Sequence, residues 1–160
     1  MIKQLEQADF SYLLDTYKVL EPHIQWTDYG HKGKQAGLQY RKGDNPWTSA
    51  VGKSKGNELA YTNLNPFFKG TDFDVIITKY NFLRTRLMWV GPFACYSMHR
   101  DQTPRLHIPL ITNPNCYFVI NEKVVNIPAD GLYWVDTTKV HTFINCSDQP
   151  RLHLVGVVDN

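Results

Sequence analysis

The stretch RLHIPLITNPNCYFVINEKVVNIPADGLYWVD, Arg105 to Asp136, decides the fold. Its short β-branched and aromatic runs are cut by Thr-Asn-Pro-Asn at 112–115, Asn-Glu at 121–122 and Pro-Ala-Asp-Gly at 128–131. Turn residues returning every 8–12 positions or so signal an antiparallel sandwich or barrel. The same texture begins at Leu83, and the spacing predicts strands over 83–90, 94–101, 105–111, 116–120, 123–127, 131–136, 140–146 and 151–158. Upstream the period changes. Phe10, Leu13, Leu14, Tyr17 and Leu20 recur at steps of three and four and predict a helix over 8–20. Residues 71–80 predict a second helix, with Thr71 as its cap and Asp72 and Asp74 near its positive end. Residues 21–65 read as loop with short strands at most. Trp26, Tyr29, Tyr40, Trp47 and Tyr61 argue against disorder there and for a substrate-facing wall or lid. The expectation is a mainly β fold with N-terminal helices packed outside one sheet of a cupin-like jelly roll. One domain spans 1–160, with helices and substrate-facing loops in 1–82 and the β-barrel core in 83–160.

Composition limits the function. A 160-residue chain with 42% hydrophobic residues buries roughly 68–70% of its unfolded surface, so it needs neither disulfides nor a structural metal. Any metal would serve chemistry. Seventeen basic against fifteen acidic residues leave a net charge of +2, which excludes an electrostatic grip on nucleic acid or an anionic membrane. Cys95, Cys116 and Cys146 stand alone in apolar runs with no C-x-x-C pair, and read as reduced core thiols. No signal-length or membrane-length apolar run occurs, so the chain reads as cytoplasmic, with no membrane partner. Gly52-Lys53-Ser54 resembles the end of a phosphate loop, but Trp47 occupies the place of its first glycine. The sequence is silent on oligomeric state.

Chemistry gathers in CYSMHRDQTPRLHIPL, residues 95–110. Along a strand, His99 and Asp101 project to one side and Arg100 to the other. H-x-D followed by His141 has the spacing of a two-histidine, one-carboxylate triad, which leaves positions open on iron(II) for a bidentate cosubstrate and dioxygen. Zinc is the competing metal for the same donors. Arg151 and His153 share one face of the next predicted strand, and Arg105 and His107 share a face of theirs. An arginine beside a buried metal site calls for an anion, such as the far carboxylate of a five-carbon dicarboxylate.

The series H-x-D, R-x-H-I-P-L, D-G, H-x-x-x-N and R-x-H-L resembles the Fe(II)/2-oxoglutarate oxygenases of the aspartyl/asparaginyl β-hydroxylase family and the related proline hydroxylases, over Leu87 to Asp159. The resemblance implies a double-stranded β-helix in which His99, Asp101 and His141 hold iron and Arg151 binds the distal carboxylate of 2-oxoglutarate. It implies that His107 contacts the cosubstrate and that Arg105 takes part in cosubstrate or substrate binding. Some family members carry glycine where this chain has Asp101, so the carboxylate groups it with the complete-triad relatives. The activity implied is hydroxylation of an amino acid, free or peptide-borne, with dioxygen consumed and succinate and CO2 released. Trp26, Gln39, Tyr40 and Arg86 are the candidate substrate residues, facing a small-molecule or peptide partner.

Other readings use the same residues. A non-catalytic cupin-like module could keep the metal for sensing or stability, and a zinc or manganese cupin could be an isomerase or hydrolase. Arg151 separates them, since a structural metal needs no second anion anchor. His23 and His31 read as loop histidines and His153 as a satisfied core histidine. Asn145 and Asp136 are candidates for hydrogen bonds around the ligands, with turn chemistry an equal account of Asp136.

Overall fold

The computed structural model describes residues 1–159. Its larger sheet is antiparallel throughout and contains β1 (Ile2–Gln7), β2 (Thr27–Asp28), β3 (Gly33–Gly37), β6 (Leu83–Val90), β7 (Arg105–Ile111), β10 (Gly131–Val135) and β12 (Arg151–Val157), in the order β1-β10-β7-β12-β6-β3-β2. A second sheet pairs β11 (His141–Asn145), β8 (Cys116–Ile120) and β9 (Lys123–Val125), and β4 (Gln39–Tyr40) with β5 (Asn63–Leu64) makes a short ribbon. The chain is a mainly β jelly roll with two short helices, α1 (Ser11–Leu20) and α2 (Asp72–Lys79).

Alternation along the strands sorts side chains between two cores. Leu87, Leu106, Ile108, Leu132, Leu152, Leu154 and Ala36 pack with Leu13 and Tyr17 of α1 and Phe73, Ile76 and Ile77 of α2. Burying each such Leu or Ile contributes roughly 1.5–3 kcal/mol. On the opposite face, Val90, Tyr133 and Val135 meet Cys116, Phe118, Ile120 and Phe143 of the smaller sheet. The candidate site lies at the edge of this second layer, with His141 buried, Asp101 half-buried and His99 exposed.

The helices start differently from the sequence expectation. α1 begins at Ser11, whose N–H donates to Asp9 at 2.8 Å, rather than at residue 8. Thr71 precedes α2 but does not cap it; its hydroxyl donates to Phe68 O at 2.7 Å, while Asp74 accepts from Gly70 N–H at 2.9 Å. Strand 94–101 is absent. The segment meets β11 only through isolated bridges, and the pairing slips by one residue between Cys95↔Ile144 and His99↔His141, which breaks the ladder.

The jelly roll also draws on the first half of the chain. β1 pairs with β10, and β3 lies beside β6 within the large sheet, so residues 1–82 are more than helices and loops. β3 reads GKQAG, a weak strand sequence. Its glycine is steric: at Gly33 (φ +137°) a Cβ would sit 1.9 Å from Trp89 O. Cys116 is buried, but Cys95 and Cys146 are exposed, against the expectation that all three belong to the core. No helix among the described residues is long and apolar enough to cross a membrane.

Candidate active site

His99, Asp101 and His141 come together although the strand expected to align the first two is missing. Backbone bonds do the work instead. His99 and His141 exchange N–H···O bonds of 3.0 and 2.9 Å, and Asp101 N–H donates to Thr137 O at 2.8 Å. One ligand atom from each residue lies within 4.8 Å of the others, with His141 Nε2 3.8 Å from Asp101 Oδ2. The two rings stand 4.3 Å apart. His99 Nδ1 lies 2.7 Å from Ser97 O and His141 Nδ1 lies 2.9 Å from Lys139 O. A carbonyl only accepts, so each Nδ1 carries the proton and each Nε2 keeps its lone pair for a metal. Burial pushes the His141 pKa down, which favours the neutral, ligating form. The donor set fits iron(II).

Deeper between the sheets lies a cation with no carboxylate partner among the described residues. Arg151 is 2% exposed, donates from Nη2 to His153 Nδ1, and stacks 3.7 Å from the centre of the Phe143 ring. Its Nε has no partner, nor has Nε2 of either His153 or His107. Burial lowers the Arg151 pKa to about 9, so it stays charged at neutral pH. His107 Nδ1 is 3.3 Å from His153 Nδ1. Burial, reinforced by the Arg151 charge, keeps both histidines neutral. Because His153 Nδ1 accepts from Arg151, its unpartnered Nε2 carries the proton, and together with Arg151 Nε it leaves buried donors that suit an anion.

Arg86 is a second buried cation on the same sheet face, since it pairs with Val155 as Met88 pairs with His153. It donates to Ala50 O at 2.9 Å and makes no salt bridge. Burial, then repulsion from Arg84 and Arg105, lowers its pKa to about 9. Tyr96 feels the charges of both Arg151 and Arg86, although burial raises its phenol pKa overall.

The family profile for aspartyl/asparaginyl beta-hydroxylase matches residues 68–159, which contain the three candidate metal ligands, Arg86, Arg105, His107 and Arg151. This chain belongs to the aspartyl/asparaginyl β-hydroxylase family. An L-proline cis-4-hydroxylase of Rhizobium meliloti (strain 1021) is 30% identical over 91 residues, 53% of this chain and 31% of that protein. The match thus spans about a third of that relative's length. A prolyl-4-hydroxylase structure from Pseudomonas putida superposes on 98% of this chain and 90% of its own, with a TM-score of 0.54 and 14% identity, and shares the fold. A cupin domain from Bordetella pertussis covers 48% of this chain and 80% of its own at 18% identity and a TM-score of 0.41.

Against the family pattern, the other candidate residues divide. Arg105, expected at the cosubstrate or substrate, is instead occupied by a buried carboxylate. Its Nη1 and Nη2 donate to Glu58 Oε2 and Oε1 at 2.8 and 2.7 Å, and its Nη2 reaches Asp101 Oδ1 at 3.2 Å. Gln39 spends its side chain on β6, donating to Phe82 O at 2.8 Å and accepting from Thr85 N–H and hydroxyl. Trp26 packs with the helix-side core against Tyr17 and under Lys34, on the far side of the sheet from the site. Tyr40 is half-buried in the β4–β5 ribbon. Asn145 holds the turn before β12 through Gly91 O, Gln149 O and Ser147, and Asp136 accepts from Thr138 Oγ1 within its own turn. Neither hydrogen-bonds the side chain of a candidate metal ligand. His153, read as a satisfied core histidine, has one nitrogen satisfied and one orphaned. Glu58 and Tyr96 went unnoticed because no local motif marks them; Glu58 sits beside Leu59-Ala60 in a stretch without periodicity.

Proposed function

We propose that this chain is an Fe(II)- and 2-oxoglutarate-dependent oxygenase that hydroxylates an amino acid, free or peptide-borne, with release of succinate and CO2. The observation that carries the reading is Arg151, a buried cation without a carboxylate partner in the layer that also holds the metal trio. Two histidines and a carboxylate alone would suit a zinc hydrolase. A separate anion anchor beside them suits a dicarboxylate that reaches from the metal to Arg151. Bound iron with dioxygen supplies the oxidation of an unactivated C–H bond, which no side chain of this protein can perform.

The protein's own part is placement. His99, Asp101 and His141 would hold the metal through Nε2, a carboxylate oxygen and Nε2. The Arg151 fork would take the distal carboxylate of 2-oxoglutarate, with the free Nε2–H of His153 as a further donor to its oxygens. Phe118 and Phe143 flank Arg151 and exclude water from it. Arg86 would take a second anion, the carboxylate of the substrate. The name of the L-proline cis-4-hydroxylase relative makes free amino acids the first substrates to try.

The test has two arms. Anaerobic calorimetry of 2-oxoglutarate into the Fe(II)-loaded protein should show binding that Arg151→Lys weakens, because lysine keeps the charge but loses the planar fork. Succinate release in air should be slow alone and faster with a cognate amino acid. Absence of both binding and succinate across free amino acids and peptides would overturn the reading.

A further inference from the structure

Glu58 lies outside the family match and outside every sequence motif, yet it is 2% exposed and its two oxygens accept from four donors. Arg84 Nη1 and Arg105 Nη2 meet Oε1, and Arg105 Nη1 and Thr103 Oγ1 meet Oε2. Arg84 also donates to Gly52 O at 2.6 Å. The turn between Asp101 and Arg105 closes on the same cluster, since Arg105 Nη1 donates to Thr103 O at 2.9 Å and Thr137 Oγ1 to the same oxygen at 2.8 Å. Arg105 thus stands between two carboxylates, one saturated and one at the metal site.

The geometry points to Glu58 as a positioning residue for Asp101. Resting on the reading of His99, Asp101 and His141 as metal ligands, the argument concerns which oxygens remain free. A guanidinium fork prefers a carboxylate it can grip with two parallel N–H groups. Glu58 provides that grip, so Arg105 meets Asp101 only as an ion pair, with Nη2 3.2 Å from Oδ1 and no hydrogen bond between them. Asp101 Oδ2 is left facing His141 Nε2. Without Glu58, the anion nearest the Arg105 fork is Asp101 itself, and a two-point grip would take Oδ2 as well. The metal would then lose its carboxylate to an arginine. Negative charge at position 58 is what matters, and a neutral side chain of the same shape cannot replace it.

Anaerobic titration of Co(II), followed by its visible d–d bands without 2-oxoglutarate or dioxygen, reads the metal site apart from turnover. Glu58→Gln should weaken Co(II) binding about 10–100-fold, the range for a lost partner of a metal ligand. The double variant Glu58→Gln/Arg105→Met should recover most of that loss, because the competing cation is gone. A role in packing alone predicts a double variant at least as weak as the single one. Circular dichroism establishes that each variant is folded. If Glu58→Gln does not fold, Glu58→Asp takes its place; it keeps the charge but is too short to span both arginines, so a smaller loss with the same rescue by Arg105→Met is expected. Equal Co(II) affinity in wild type and a folded position-58 variant, or no recovery in the double variant, overturns the proposal. A wild type that takes up no Co(II) overturns the metal reading itself, and the proposal with it.

Discussion

On β12, Leu152 and Leu154 turn to the helices while Arg151 and His153 turn to the smaller sheet; on β7, Leu106 and Ile108 contrast in the same way with Arg105 and His107. Both faces are buried. The helix side is closed mainly by apolar contacts, and its buried polar groups pair with each other, Thr85 Oγ1 donating to Gln39 Oε1 at 2.7 Å. The inner side buries cations and imidazoles, and orphaned nitrogens remain on Arg105, Arg151, His107 and His153. Burying such groups costs free energy unless a partner satisfies them. The inner face therefore holds a deficit that a ligand would remove, and the outer face supplies the stability that tolerates it.

The contrast can be broken from either side. Leu154→Ala, on the apolar face, should destabilise the protein by about 2–5 kcal/mol through lost burial and a cavity. Urea unfolding would show this, and 2-oxoglutarate affinity of the folded fraction should stay unchanged. A coupled loss of affinity would mean that the two faces are not independent. Arg151→Met should act in the opposite sense. Replacing a buried, unpaired cation with an apolar side chain of similar length should leave the ligand-free protein equally stable or raise its stability by about 1–4 kcal/mol, while 2-oxoglutarate binding is lost. Destabilisation of ligand-free protein would show that stacking on Phe143 outweighs the buried charge.

The smallest expected effect is a pH dependence confined to the inner face. His107 and His153 have folded pKa values below the usual 6.5, from burial first and then the Arg151 charge. Their unfolded forms bind protons as pH falls past 6.5 and their folded forms do not. Stability is thus complete above that pH and declines below it, by up to about 1.4 kcal/mol per pH unit for each histidine. Below the ordinary 4.5 of glutamate, Glu58 adds to the loss. Its burial raises its pKa, but the Arg105, Thr103 and Arg84 contacts outweigh that and hold it down. Urea midpoints of metal-free protein between pH 7.5 and 5 should fall, and His153→Phe should reduce the slope. A flat profile would mean that water or an anion compensates the two rings.

Where residues repeat on a strict period, the sequence was easy to read. The Leu-x-Leu of β12 and the Leu-x-Ile-x-Leu of β7 alternate cleanly, and the turn clusters between strands are local chemistry, so β6, β7 and β8 coincide with their predicted spans. Two segments escaped for physical reasons. β1 is a charged edge strand whose exposed residues alternate with nothing. β3 is a glycine-flanked strand selected by steric fit to β6 instead of by propensity. Segment 94–101 failed in the other direction. Its composition suits a strand, but the one-residue slip against β11 leaves only bridges.

The site shows the same division. The inward direction of Arg105, His107, Arg151 and His153 follows from the sequence, because R-x-H has a spacing that a strand converts into shared direction; His99 and Asp101 are instead brought to His141 by backbone bonds to His141 and Thr137. The removal of Trp26 to the helix-side core, the commitment of Gln39 to β6, and the capture of Arg105 by Glu58 are decided between segments distant along the chain. Local spacing determines which way a side chain points. Whether it then meets a ligand, a carboxylate or an apolar wall depends on what the tertiary fold sets against it, and for Arg105 and Arg151, two buried arginines within one sheet, the fold set a carboxylate against the first and none against the second.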